Sequence, residues 1–276
     1  MKVALFQART GIDPGRNADR LAQACRDASG EGAAMLFTPE MSGLLDRDGG
    51  RAAASTRAEE DDLVLGVVRD AARDNGLWVQ LGSLAVRRPD GRLANRAFVI
   101  DDRGQVRARY DKMHLFDVDL PTGESWRESS RYAAGDAPVV AGATPLGPLG
   151  LSVCYDLRFP ALYASLAEAG ATSLTVPAAF TVPTGRAHWH VLLRARAIEA
   201  GAFVIAAAQC GTHEDGRRTF GHSLVVDPWG RVLLDMAEAE DDLGFADIDL
   251  ALVAEARGAI PALAHRRAIG GAAIAS

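Results

Sequence analysis

Apolar positions along this chain switch repeatedly between the spacing of strands and the spacing of helices. Lys2–Phe6 predicts a strand, Asn17–Ser29 an amphipathic helix, and Met35–Thr38 a second strand closed by Pro39 and Glu40. Asp61–Asn75 predicts a helix with Leu63, Val64, Val67, Val68 and Ala71 on one face and Gly76 as its stop. Strands are expected over Leu77–Leu84, Arg96–Ile100 and Gln105–Tyr110, the last two joined by a hairpin-like turn at Asp101–Gly104. From about Asp117 to Pro148 no period is visible. The alternation then resumes with a strand over Leu149–Val153, a helix over Pro160–Ala169, a strand over Ser173–Pro177 and a helix over His188–Ala200. A strand over Phe203–Ala208 and a hairpin of Ser223–Val226 with Val232–Asp235 follow. The hairpin turns on Asp227–Gly230, where Asp227, Pro228 and Gly230 suit the first, second and fourth positions of a type I turn.

The two halves thus repeat one order: strand, helix, strand, helix, then several strands. No linker-like stretch divides them. The expected fold is α/β, one domain over residues 1–276 with internal pseudo-symmetry, two sheets packed face to face and helices outside. Residues 250–276, rich in alanine and poorly periodic, are expected to form an arm that packs on a neighbour or frays.

Composition narrows the classes of function. The chain has 276 residues, 48% hydrophobic and 24% charged, so it can bury a sizeable core. A net charge of −6 offers no basic footprint for nucleic acid. The apolar run at Met1–Phe6 is short for a signal peptide and no later stretch would span a bilayer, so a cytoplasmic protein away from membranes is expected. Three scattered cysteines form neither a metal spacing nor a disulfide framework, which fits a reducing compartment.

Cys154 is the most informative of the three. It lies between a buried strand and a helix that opens at Pro160, where backbone N–H groups and a helix dipole would lower a thiolate's pKa and hold an oxyanion. Position alone leaves open a small hydrophobe closing a strand. Cys25 shares a helix face with Leu21, Ala24 and Ala28 and reads as packing, and Cys210 ends an apolar strand without a flanking base. Glu40, half buried at a strand end, would have a raised pKa and could take a thiol proton. Lys112 also closes a strand and could face a developing oxyanion, whereas Glu128 lies in the aperiodic stretch. Each of these three equally reads as a solvated residue. A thiol–imidazole pair with His222 is formally open too.

The motifs around these residues decide between the readings. Phe37–Glu40 (FTPE), Tyr110–Asp119 (YDKMHLFDVD), Cys154–Pro160 (CYDLRFP), Val176–Phe180 (VPAAF), His188–Glu199 (HWHVLLRARAIE) and Gly221–Gly230 (GHSLVVDPWG) stand in one order from the N-terminal strand to at least Asp249. In this the chain resembles the nitrilase superfamily, the carbon–nitrogen hydrolases. The resemblance implies an αββα sandwich of two mixed sheets and a Glu40–Lys112–Cys154 set. Glu40 would be the general base. Lys112 and the Tyr155 backbone N–H would hold the oxyanion, and Cys154 would attack an amide carbon to give a thioester. Glu128 matches a second glutamate beside the lysine, with Glu124 as the alternative. No metal and no organic cofactor is implied, and the six histidines show no ligand set in the sequence.

Ala206–Gly211 (AAAQCG) and Arg218–His222 (RTFGH) resemble the Nit branch, and within it the amidases acting on deaminated glutathione more than the neighbouring ω-amidases of 2-oxoglutaramate. Either small-molecule substrate carries a 2-oxoglutaramyl end and needs a cation. Arg158 is the candidate, the other reading being an ion pair with Asp156. Phe180, Thr181, Thr184, His188 and Trp189 are expected to line the pocket, with a helix cap as the alternative for His188. Arg194 and Arg196 read as structural or interfacial. A nitrilase or N-carbamoyl hydrolase would share the same three residues, and an inactive scaffold would have lost one. Relatives of this kind imply a homodimer or higher homo-oligomer.

Overall fold

The computed structural model describes residues 1–119, 123, 125–272 and 274. Its first half runs β1 (Lys2–Gln7), α1 (Pro14–Gly30), β2 (Met35–Phe37), α2 (Gly49–Ser55), α3 (Leu63–Asn75), β3 (Trp78–Arg87), β4 (Leu93–Ile100) and β5 (Val106–Asp111). A hairpin of β6 (Asp117–Asp119) and β7 (Ser125–Arg127) leads to β8 (Val139–Thr144). The second half runs β9 (Gly147–Leu151), α4 (Pro160–Glu168), β10 (Ser173–Thr175), α5 (Val182–Ala200), β11 (Phe203–Ala206), β12 (Cys210–Thr212), β13 (Arg218–Phe220), β14 (Leu224–Val226) and β15 (Val232–Asp235). Then β16 (Asp242–Asp247) and α6 (Ala251–Ala259) follow. Helix starts obey local chemistry: the Asp13 carboxylate accepts from the Gly15 and Arg16 N–H groups, and that of Asp62 from Leu65.

The pseudo-symmetry is visible in the pairing. One six-stranded sheet has the order β16-β1-β2-β3-β4-β5, the other β8-β9-β10-β11-β14-β15. Read in these orders, both show antiparallel, parallel, parallel, antiparallel and antiparallel neighbours. Side-chain alternation builds the layers. Val3, Leu5, Met35 and Phe37 share a core with Leu149, Leu151 and Leu174 of the other sheet. Ala4, Phe6 and Leu36 turn the other way onto Leu21, Cys25, Val64 and Val68 of α1 and α3. The result is the αββα sandwich of mixed sheets that the sequence led us to expect.

Three expectations change. The aperiodic stretch holds β6, β7 and β8; two of them are three residues long, and β8 is a half-exposed edge, so neither type shows a period. Helix α5 begins at Val182, six residues earlier than predicted. Pro183 sits in its first turn, and Gly185 is internal because a Cβ there would overlap the Phe220 ring. The segment expected to be an arm starts with α6, which buries Val253 and Ala256. The Arg257 guanidinium ties α6 down by donating to the carbonyls of Ala171 and Ala200.

Candidate active site

The catalytic candidates converge where the two halves meet. Glu40 follows β2 in a loop held by β3, whose pairing with β4 slips between Leu81 and Leu84. In that gap the Gly82 N–H donates to Thr38 Oγ1 (2.9 Å), and Ser83 accepts from Met41 N–H at Oγ (2.9 Å) and from Ser42 N–H at its carbonyl (3.0 Å). Buried Gln209, from the second half, donates to the Glu40 carbonyl at 2.9 Å. A Cβ on Gly82 would overlap the Thr38 and Pro39 carbonyl oxygens. We therefore expect Gly82→Ala to displace Glu40, lowering kcat/KM at least about tenfold and destabilising the fold by about 1–3 kcal/mol. Steady-state kinetics and urea unfolding check this.

Cys154 has φ = +50°, a left-handed conformation that costs a non-glycine residue about 1–3 kcal/mol and is held only by its surroundings. Its N–H donates to the Pro177 carbonyl (2.9 Å). Buried Asp156, two residues on, fixes the turn by accepting from Val153 N–H (2.9 Å), Tyr110 O–H (2.8 Å) and His114 N–H (3.0 Å). Its other neighbour is the His114 ring at 2.7 Å. Asp156 is thus fully engaged, and the ion pair that was the alternative reading of Arg158 is not formed. Among the described residues the Tyr155 N–H has no hydrogen-bond partner.

Lys112 follows the last residue of β5 and is 2% exposed. Its Nζ donates to Glu40 Oε1 at 2.9 Å and to Glu128 Oε2 and Oε1 at 2.8 and 3.1 Å. Glu128 also accepts from the Phe116 N–H (2.7 Å), and Glu40 Oε2 from the Ala179 N–H (3.0 Å). Glu124, the alternative second glutamate, lies outside the described residues. Asn95, which the sequence reading passed over, donates to both carboxylates at 2.9 and 3.0 Å and completes the cluster. Its only signal in the sequence is an amide inside a mostly apolar strand, where Arg96 is the one other polar residue.

Two electrostatic expectations reverse. Burial pushes the Glu40 carboxyl up, but the Lys112 ammonium, the Cys154 thiol beside it and Asn95 together hold it below the ordinary carboxylate value. Burial and then the Glu40 charge push the Cys154 thiol well up, against the pull of Lys112. Burial alone would lower Lys112, yet Glu128 and Glu40 raise it well above the usual lysine range. The resting site therefore holds a Cys154 thiol, a Lys112 ammonium and the Glu40 carboxylate.

A cavity of about 520 Å³ opens over this cluster. Arg158, Phe180, Thr181 and Thr184 line it, as expected, with Tyr155. His188 and Trp189 do not. His188 is exposed in the second turn of α5, away from the cap at Thr181, with its Nδ1 3.2 Å from the Arg158 guanidinium. Trp189 is buried behind the wall, its ring 4.8 Å from Phe180 and its N–H on the His222 carbonyl. Within α5 His188 faces solvent and Trp189 packs inward, so neither points into the cavity. Arg196 and Arg194 bond the Leu157 and Gly230 carbonyls and are structural. Cys25 is buried in α1, and Cys210 is buried at the start of β12, opposite Phe220 of β13. His222 pairs with Asp235 at 2.9 Å and lines no part of the cavity, so no thiol–imidazole pair forms. The fold does bring His190, His222 and Asp235 together, a grouping that their spacing in sequence did not reveal.

The profile of the carbon–nitrogen hydrolase family matches residues 2–258. A rat protein named deaminated glutathione amidase is 39% identical over 269 residues, covering 96% of this chain and 82% of its own. The nitrilase–Fhit fusion protein of Caenorhabditis elegans superposes with a TM-score of 0.88 at 37% identity, over 96% of this chain and 65% of that longer one. An amidase from Nesterenkonia sp. AN1, solved with the acetamide moiety of fluoroacetamide on its active-site cysteine, gives 0.81 at 30% identity, covering 97% and 94%. With the family profile spanning nearly the whole sequence and its fold reproduced, the chain belongs to the carbon–nitrogen hydrolases and is a hydrolase of carbon–nitrogen bonds other than peptide bonds.

Proposed function

We propose that the protein is a cysteine amidase that hydrolyses deaminated glutathione to 2-oxoglutarate and cysteinylglycine. The observation that carries the chemistry is a buried ionised carboxylate and a buried ammonium around one thiol at the floor of a cavity. As Cys154 Sγ attacks the amide carbon, Glu40 takes the thiol proton, so no free thiolate has to exist beforehand. Charge developing on the amide oxygen is met by Lys112 Nζ and the unpartnered Tyr155 N–H. Glu40 returns the proton to the leaving nitrogen, cysteinylglycine departs and a thioester remains. Water then gives its proton to Glu40, attacks the thioester and releases 2-oxoglutarate with the thiol restored. Glu128 holds Lys112 in place, and no step calls for a metal or an organic cofactor.

Support for the substrate comes from the relatives' name and from Arg158. That guanidinium has no carboxylate partner among the described residues and stands 5.5 Å over Phe180 in the cavity wall, where it would receive the 2-oxo acid end. The same end belongs to 2-oxoglutaramate, which keeps the ω-amidase activity as the second reading. Among the described residues no helix is long and apolar enough to cross a membrane. A reducing cytoplasm suits three unpaired cysteines, one of them the nucleophile. A homodimer or larger homo-oligomer is supported by exposed Val191 and Ile198 on α5 beside Trp229, Val232 and Leu233 of the β14–β15 hairpin.

The pH profile follows from the shifts. Activity needs Glu40 ionised, and its pKa is depressed, so kcat/KM should fall only as pH drops below the ordinary carboxylate value of 4.5. Lys112 is raised, so its charge persists as pH rises through 10.5. A broad plateau between these limits, measured with a stable amide, is expected. The substrate is tested by release of ammonia from 2-oxoglutaramate and of cysteinylglycine from deaminated glutathione, with Cys154→Ala as control. Faster turnover of the second, abolished in the variant, is expected. Preference for 2-oxoglutaramate would make the protein an ω-amidase.

A further inference from the structure

Deaminated glutathione carries a carboxylate on each side of its scissile amide, one in the acyl part and one on the departing glycine. Arg158 can meet only the first. Away from Arg158 the cavity wall continues through aromatic rings: Arg158 stands 5.9 Å over Tyr155, Tyr155 meets Phe116 at 5.1 Å, and Phe116 meets Trp126 at 6.3 Å. At the far end of this row the guanidinium carbons of Arg47 and Arg217 each lie 4.8 Å from the Trp126 ring centroid. All three residues line the same cavity.

The polar atoms here are incompletely paired. Among the described residues Arg217 Nε and Trp126 Nε1 are buried without a hydrogen-bond partner, a state that costs free energy unless an acceptor arrives. Arg217 keeps one contact with a carboxylate, Nη2 to Asp215 at 3.4 Å, and burial draws its pKa down. Asp215 is itself occupied by the N–H groups of Arg47 and Arg217, both at 2.9 Å. Asp46, the next acid along, is engaged by both Arg51 Nε and Nη2, at 2.5 and 2.8 Å. The Arg47 guanidinium has no carboxylate partner among the described residues, and Arg131 Nη2 fixes its backbone by donating to the Arg47 carbonyl at 3.0 Å. Two guanidiniums on an indole, with donors lacking acceptors, suit a carboxylate.

We infer that Arg47, Arg217 and Trp126 form a second anion subsite, which receives the carboxylate of the leaving group and selects substrates charged at both ends. This deepens the amidase reading above and rests on it. A 2-oxoglutaramate molecule, whose leaving group is ammonia, would leave the subsite empty.

The test compares deaminated glutathione, the same compound with its glycine capped as glycinamide, and 2-oxoglutaramate as reference. The wild-type enzyme should prefer the acid over the glycinamide by about 10- to 100-fold in kcat/KM, mostly through KM. In Arg47→Leu, at an exposed position, and in Arg217→Met that preference should collapse toward one. A role only in folding would instead scale the two substrates alike and leave their ratio intact. An unchanged ratio in both variants, or a wild type indifferent to the cap, overturns the subsite while leaving the amidase reading standing. A wild type that hydrolyses 2-oxoglutaramate but neither glutathione-derived substrate overturns both the substrate assignment and the subsite.

Discussion

Replacing Glu40 by glutamine is expected to lower kcat/KM about 1000-fold, the middle of the range for removing a general base. The thiol of Cys154 is pushed up by burial and by Glu40 itself, so it stays protonated at neutral pH and depends on that carboxylate to lose its proton during attack. Glutamine preserves the shape and can still accept from Lys112 and Asn95. Its amide, however, would point a donor at the Ala179 N–H that Glu40 Oε2 accepts at 3.0 Å. A stability loss of about 1–3 kcal/mol should accompany the kinetic effect. Because a buried thiol without its base is slow but not inert, alkylation by iodoacetamide should persist at a reduced rate. Full activity in Glu40→Gln would remove the base from the scheme.

Lys112→Met should have the larger structural effect. Lys112 Nζ is the cation between Glu40 and Glu128, and both carboxylates also share Asn95. Without the ammonium the buried Glu40 charge loses its partner and faces the half-buried Glu128 carboxyl, a loss of about 3–5 kcal/mol. One of them should then bind a proton, its pKa raised above the ordinary 4.5 rather than depressed. The pH dependence of stability then changes sign. In the wild type Glu40 is depressed, so its contribution is present above 4.5 and lost as pH falls through the lowered value. In Lys112→Met the folded state takes up a proton more readily than the unfolded chain, so acidification toward 4.5 should stabilise it. Urea unfolding at several pH values separates the two, and activity at neutral pH should fall at least about 100-fold with the loss of an oxyanion donor.

How much of this was legible depended on range. Glu40, Lys112 and Cys154 could be read because each follows the end of a strand, and because their flanking motifs are specific. The layered fold followed from the order of strands and helices repeated in the two halves; the facing of Val3 and Leu5 to one layer and Ala4 and Phe6 to the other is hidden in a continuous apolar run. What escaped was set by contacts distant in sequence. Asn95 and Gln209 act on Glu40 from 55 and 169 positions away. The depressed Glu40 and raised Cys154 reverse simple expectation because each is decided by the other's charge state and by Lys112, none of them neighbours in sequence. His188 and Trp189 miss the cavity because α5 turns the first to solvent and packs the second behind Phe180, an orientation that motif order does not reveal. The strands over Asp117–Asp119 and Ser125–Arg127 are too short for any period to emerge.

The central claim is a thioester on Cys154, and hydroxylamine trapping tests it most directly. Brief turnover of deaminated glutathione, with hydroxylamine added together with the enzyme, should divert a rising share of product to the hydroxamate of the 2-oxoglutaryl group, counted with its ketone free or condensed to the oxime, while the rate of cysteinylglycine release is not slowed. Cys154→Ala should give neither product. Release of cysteinylglycine without any hydroxamate, or at an undiminished rate in Cys154→Ala, would contradict a covalent route through this thiol.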